Sequence, residues 1–252
     1  MYIHIVHLIL LFFIHENSFL IERAFIFDAH AGLNQLNRIH KQRQYARAFS
    51  HIYYHDLLAR WGILFSHPND FTPVCTTELA RVVKLIPEFE QLGVKVIALS
   101  CNSVDSHRKW IEDIKAFAQV TDKEFPYPII EDETRKLATL LGMLDPAEVD
   151  SKGIPLTARA VFIIDPAKKM RLSILYPATT GRSFDEILRV IKSLQLTEKH
   201  KVATPVDWKN GDHVMIQPTV SDEEAKKLYD NIEILTLPSG KNYLRMVPQP
   251  TI

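Results

Sequence analysis

From about residue 61 to residue 196, short apolar runs alternate with stretches in which apolar residues recur every three or four positions. Trp61–Phe65 is an apolar run closed by Ser-His-Pro, and Leu79, Val82, Val83, Ile86 and Phe89 then keep helical spacing. Val94–Ser100 predicts a strand, Val104–Phe117 an amphipathic helix, Tyr127–Ile130 a short strand and Thr134–Met143 a helix. Ala158–Ile164 and Arg171–Leu175 predict paired strands joined by the turn Asp165-Pro-Ala-Lys-Lys169. Ser183–Leu196 predicts a long helix with Phe184, Ile187, Leu188, Ile191 and Leu194 on its apolar face. Alternation of this kind is that of an α/β sandwich.

Beyond Leu196 the pattern breaks into short strands among Pro205, Pro218, Pro238, Pro248 and Pro250, with one helix opened by the capping box Ser221-x-x-Glu224. Trp208, Val214, Met215 and Ile216 need burial, so this stretch reads as a small second domain rather than a loose tail. The start is different again. The run Leu8–Ile14 is too short to span a bilayer, has no Lys or Arg before it and no small-x-small cleavage site after it, which argues against a secretory signal. Arg38–Arg47 reads as a charged, unstructured stretch.

A chain of 252 residues can bury a sizeable core, and its 30 basic residues balance 30 acidic ones. That neutrality gives no electrostatic reason to expect nucleic acid, or more than a peripheral membrane contact, as partner. Two cysteines cannot build a disulfide framework, which favours a reducing, cytoplasmic setting, with secretion the alternative if the apolar start is a signal. Of the eleven histidines seven lie at or before His55, without metal-ligand spacing, so no metal is expected.

Cys75 is where the pattern acquires chemistry. Thr72 is a natural N-cap and Pro73 suits the first helical position, which sets Cys75 in the first turn among unpaired backbone N–H groups. That setting favours a thiolate, hence a nucleophile. A free cysteine is also commonly a small buried hydrophobe, and position alone does not separate the two readings. The pattern Pro68-x-x-x-Thr72-x-x-Cys75 does, since it adds a proline-braced loop and a hydroxyl one turn before the sulfur.

This motif resembles the active site of the peroxiredoxins, and Phe-Thr-Pro-Val-Cys-Thr-Thr-Glu resembles their one-cysteine, peroxiredoxin-6-type branch. The likeness runs from about His51 to about Pro250, through Pro-Ile-Ile-Glu-Asp (128–132), Leu-Leu-Gly-Met-Leu-Asp-Pro-Ala-Glu (140–148), Thr-Ala-Arg159, Leu-Tyr-Pro-Ala-Thr-Thr-Gly-Arg182 and Val-Ala-Thr-Pro-Val-Asp-Trp208. It implies a thioredoxin-like peroxidase domain over residues 51–196 and a carboxy-terminal dimerisation domain over 197–252 that packs across the partner subunit of a homodimer. Residues 1–50 lack the family's Gly-Asp-x-Ala-Pro-x-Phe opening, and the expectation is an artefact of the gene model.

The activity so implied is thiol-dependent reduction of hydrogen peroxide and of organic or phospholipid hydroperoxides, without a cofactor. Cys75 is the expected nucleophile, passing through a sulfenic acid. Thr72 is expected to bond the thiolate or orient the peroxide, Pro68 to fix the loop and limit water, and Arg159 to stabilise negative charge with a permanent cation. His67 is given an accessory part, and Glu78 is explained by capping and ion pairing alone. Cys101 lacks the sequence context of a resolving thiol, so the sulfenic acid is expected to be reduced by an external thiol, glutathione, with a glutathione transferase as helper. The competing class is a non-enzymatic interaction or chaperone protein on the same fold. The branch's reputed phospholipase A2 reaction needs a His, Ser and Asp set of which only His55 is kept: Ala59-Arg60 replaces the serine segment, Ala167 the aspartate, and Asp165 does not restore it.

Overall fold

β1 (Trp61–Ser66) is buried along its whole length, as befits a strand with neighbours on both sides and cover on both faces. The structure is a computed structural model and describes residues 60–167 and 169–251. The expectations for residues 1–50, His55 and Ala59 fall outside them. α1 (Pro73–Gln91) follows β1, then β2 (Val94–Ser100), α2 (Val104–Ala118), β3 (Ile129–Glu131), α3 (Lys136–Leu141), the hairpin β4 (Leu144–Val149) and β5 (Pro155–Thr157), β6 (Arg159–Ile164) and β7 (Met170–Tyr176). The sheet order is β3-β2-β1-β6-β7, with β1 parallel to β2 and β2 to β3, and the β1–β6 and β6–β7 pairs antiparallel.

The two sheet faces follow from the period of two along each strand. Leu64, Ile97, Leu99, Ile130, Ala160, Phe162 and Ile164 fill one core with Ala138, Leu141 and Met143. α1 packs against β2 and α2, and the buried Tyr127 hydroxyl donates to the Leu79 carbonyl of α1 at 2.9 Å. Burial alternates along β7, the last strand of this sheet among the described residues, and leaves Leu175 67% exposed.

Three elements differ from their sequence reading. α3 is shorter than Thr134–Met143 because Asp132 accepts from the Leu137 and Ala138 N–H groups, fixing the start, while Gly142 at φ 66° ends the helix. The hairpin β4–β5 was not anticipated. Its strand Leu-Asp-Pro-Ala-Glu-Val carries a proline and only partial burial, so it lacks the alternation that marks a half-buried strand. The last helix of the pattern, α4 (Phe184–Lys199), runs three residues further, with Ser183 as N-cap accepting from the Glu186 N–H.

The described residues separate into two compact units, one ending at Arg182 and the other Ser183–Ile252. α4 falls within the second unit, where its Leu196 joins Val202, Trp208, Val214, Ile216, Val220, Ala225 and Val247 in one core. The second unit also holds β8 (Val202–Ala203), β9 (Val214–Ile216), α5 (Asp222–Leu228), β10 (Glu233–Leu235) and β11 (Leu244–Val247), in sheet order β10-β11-β9-β8. Ser221 caps α5 as expected, accepting from the Glu224 N–H at 3.2 Å, while the Glu224 carboxylate pairs with Lys201.

Candidate active site

The loop between β1 and α1 is pinned from several directions. The Ser66 hydroxyl donates to the Ala158 carbonyl at 2.7 Å, the His67 N–H to Leu99 O at 3.1 Å, and Thr157 Oγ1 to His67 O at 2.6 Å. Asn102, just beyond β2, accepts from the Asp70 N–H at 3.0 Å and donates to Asn69 Oδ1. Pro68 is buried, and Phe71 is held at φ 53°, a conformation that costs a side-chain-bearing residue roughly 1–2 kcal/mol and that this anchoring maintains. The rigid loop delivers the chain to α1 with Pro73 at the first helical position and Cys75 two residues on.

Cys75 is completely buried, and no acidic residue occupies the first turn of α1 to oppose negative charge on sulfur. Arg159, leading β6, reaches it from below. Arg159 Nη1 donates to Sγ at 3.3 Å and to Glu78 Oε2 at 2.7 Å, while Nε and Nη2 both donate to the Ala178 carbonyl, at 2.9 and 2.7 Å. The guanidinium thus has both edges fixed before any substrate arrives.

Glu78 does more than the sequence suggested. It lies one turn beyond Cys75 and joins Arg159 to a second buried arginine, Arg182. Arg182 donates from its backbone N–H (2.7 Å) and Nε (3.0 Å) to Oε1 and from Nη2 to Oε2 at 2.6 Å. Its Nη1 bonds the Ser66 and Ala160 carbonyls at 2.8 and 3.0 Å, and the cation sits 5.0 Å over the Phe65 ring. Burial pushes the Glu78 carboxyl up, but the Arg182 charge, its hydrogen bonds and Arg159 outweigh it and hold the group below its ordinary value. Two guanidinium charges against one carboxylate leave a net positive charge beside the sulfur. Glu78 and Arg182 were missed as site residues because 104 positions separate them and no local pattern couples them.

Thr72 occupies the N-cap position, yet its hydroxyl makes no capping bond and donates instead to the Asn69 carbonyl at 2.9 Å. A hydroxyl whose proton is so engaged keeps its lone pairs for accepting. His67 is fully buried, its Nε2 2.8 Å from Asp70 Oδ1, and Asp70 Oδ2 faces His107 Nδ1 at 2.8 Å and the Ser106 hydroxyl at 2.7 Å. Burial pushes His67 below its usual value, against the raising effect of Asp70. Burial alone would raise Asp70, but the bonds to His107 and His67 outweigh it and hold the carboxyl well below the ordinary range. Cys101 lies apart from all of this, buried in the core with Ile97, Leu99 and Met143, and burial pushes its thiol up to about 11. Asp165 is occupied by its turn, accepting from the Lys169 N–H at 2.9 Å and from Arg171.

All three depressed groups act in the same direction on stability. His67 refuses in the folded state a proton that the unfolded chain takes up below about pH 6.5, so its contribution is lost as pH falls through that value and below. Asp70 and Glu78 contribute above the unfolded carboxylate range, about pH 4, and their contribution goes as pH falls further. The melting temperature is therefore expected to decline between pH 7 and 5 and more steeply below about pH 4. Calorimetry showing a rise from pH 7 to 5 would contradict this.

The AhpC/TSA family model matches residues 40–173, and the model described as the C-terminal domain of 1-Cys peroxiredoxin matches residues 193–231. The first match begins before the point where the motif likeness was read. The chain is 61% identical to human peroxiredoxin-6 over 202 residues, 79% of this chain and 90% of the relative. It is 62% identical to a 1-Cys peroxiredoxin of Onchocerca volvulus over 197 residues, 75% and 85% of the two chains. Among solved structures it is similar to a cysteine-to-serine mutant of the peroxiredoxin 6 of Arenicola marina, with TM-score 0.76, 60% identity, and 80% and 91% of the two chains covered. It is also similar to a yeast mitochondrial 1-Cys peroxiredoxin whose thiol is resolved via glutathione/thioredoxin systems, with TM-score 0.67, 45% identity, and 77% and 90% covered.

Proposed function

Because the chain belongs to the AhpC/TSA family and, within it, to the one-cysteine peroxiredoxins, which makes it a thiol-dependent peroxidase, we propose that Cys75 is its peroxide-reducing nucleophile and Arg159, Thr72 and Pro68 its partners in the reaction. The observation that carries this is the Arg159 bond to Sγ, made by a cation already fixed to Glu78 and Ala178. The Cys75 thiolate attacks one peroxide oxygen, the S–O bond forms as the O–O bond breaks, and the departing oxygen takes up one proton, equivalent to the one the thiol gave up in forming the thiolate, and leaves as water or alcohol. Arg159 N–H groups stabilise charge first on sulfur and then on that oxygen, in a site from which water is excluded. Thr72 Oγ1, its proton given to Asn69, accepts from the peroxide O–H. Pro68 holds the loop that sets these positions.

The resulting sulfenic acid condenses with an external thiol, releasing water and forming a mixed disulfide. A second thiol then frees Cys75 and departs as the oxidised reductant. Cys101 is unsuited to that task because burial pushes its thiol up to about 11, which disfavours the nucleophilic thiolate at neutral pH. Glutathione delivered with a glutathione transferase is the proposed reductant. Two buried free thiols suit a cytoplasmic setting. The protein acts as a homodimer in this reading, supported by β7, the last strand of its sheet among the described residues, with its exposed Leu175. A monomer in sedimentation equilibrium at micromolar concentration would remove that part.

Arg159→Lys tests the role of the guanidinium. Lysine keeps the charge, but a single ammonium cannot bond Ala178, Glu78 and Sγ together, so the peroxide rate constant is expected to fall by about tenfold or more. A stopped-flow rate equal to wild type would take Arg159 out of the chemistry. Absence of any peroxide turnover by the wild-type protein would favour the chaperone class instead.

A further inference from the structure

Two ring nitrogens in this site stand out: His67 Nδ1 and His107 Nε2 are buried without a hydrogen-bond partner among the described residues. Buried polar atoms are nearly always paired, so each such case calls for a reason. The opposite nitrogens of the same rings supply it. His67 Nε2 and His107 Nδ1 both face Asp70, one on each oxygen at 2.8 Å, and the second oxygen also accepts from Ser106. A carboxylate only accepts, so each facing nitrogen must carry a proton. The hydrogen bond made by one imidazole nitrogen decides the state of the other. A neutral His67 therefore has its proton on Nε2 and a bare lone pair on Nδ1.

We infer that Asp70 is a positioning residue of the peroxidase site: it locks His67 in the Nε2–H form, so that Nδ1 is presented as a buried acceptor for a hydroxyl entering beside Cys75. The placement supports this. His67 immediately follows Ser66, whose carbonyl is bonded by Arg182, and its ring lies 5.0 Å from that of Trp110, which donates to Thr76, the residue after Cys75. Arg159 supplies donors to the sulfur and Thr72 Oγ1 one acceptor, so His67 Nδ1 adds a second acceptor, of fixed orientation, for a peroxide O–H. Asp70 is held for the task by Asn102 on its own N–H. The same three side chains could be drawn together by a metal ion, since their ligand atoms lie within 4.8 Å of one another. The hydrogen-bond reading is preferred because Asp70 already serves three donors and the bare nitrogens are the ones turned away from it.

The inference rests on the peroxidase reading, so its test has one arm without peroxide. Nitrogen-15 NMR of the full chain is expected to show His67 protonated on Nε2 and His107 on Nδ1. In Asp70→Asn, whose amide offers one donor and one acceptor, one of the two rings must switch. The peroxide rate constant of that variant is expected to fall by about tenfold or more with its amide fingerprint still dispersed, the range expected when a positioned acid–base group is lost. Wild-type His67 carrying its proton on Nδ1 overturns the inference even if Asp70→Asn does not fold. So does a folded Asp70→Asn with unaltered tautomers and rate. Loss of both facing N–H signals on adding zinc alone would make the trio a metal site and overturn it as well. A wild-type protein inert to peroxide, with the tautomers as stated, would instead count against the peroxidase reading.

Discussion

Cys75→Ser is expected to abolish peroxide turnover, and Cys101→Ser to leave it nearly intact. The difference follows from surroundings rather than from the thiols themselves. Cys75 stands in the first turn of a helix with no acidic neighbour in that turn and with a fixed guanidinium N–H 3.3 Å from its sulfur. Cys101 sits among aliphatic side chains, with burial and the nearby Asp132 carboxylate both opposing ionisation. A serine hydroxyl is a far weaker nucleophile than a thiolate, and oxygen cannot form the sulfenic acid on which the cycle depends. A coupled assay of peroxide-dependent glutathione oxidation reads both variants. Equal loss in the two would establish a two-cysteine cycle and defeat the assignment.

Glu78→Gln is expected to lower stability by about 3–5 kcal/mol, the usual cost of removing one partner from a buried ion pair. At roughly 2–4 °C per kcal/mol for a chain of this size, the melting temperature should drop by roughly 6–20 °C. Glu78 is 4% exposed and faces two guanidinium groups that are no more exposed than itself, so neither cation can turn to water when the charge is gone. The amide offers one acceptor oxygen where the carboxylate's two serve four N–H groups, and it turns its own N–H groups toward one of the arginines. The same change should slow peroxide reduction, because Arg159 loses the anchor that aims Nη1 at sulfur. A melting curve within about 1 °C of wild type, a difference worth only a few tenths of a kcal/mol, would mean that the network contributes little.

What could be read from the chain alone was what lies close together along it. The α1 spacing predicted the helix, and Leu79, Val82, Val83 and Phe89 are buried while Ile86 is partly so. Thr72, Pro73 and Cys75 gave the helix start, and Ser221 its cap, because capping is a matter of a few residues. The remainder depends on tertiary structure. Glu78 with Arg182, and Asp70 with His107, meet only after β1, β6 and α2 have been brought beside one another. The Thr72 hydroxyl makes no capping bond for a related reason: its partner is decided by the path of the loop, which Asn102 holds from 33 residues away. The β4–β5 hairpin escaped because Pro146 and the exposed Ala147 break its alternation.

The central claim is that peroxide oxidises Cys75 to a sulfenic acid that only an outside thiol resolves. Reduced protein treated with one equivalent of hydrogen peroxide, without any added thiol, and then trapped with dimedone, gives the most direct reading by peptide mass spectrometry. The expected result is a dimedone adduct on the peptide bearing Cys75 and an unmodified Cys101. A disulfide between the two cysteines, or an adduct on Cys101 alone, would contradict the account.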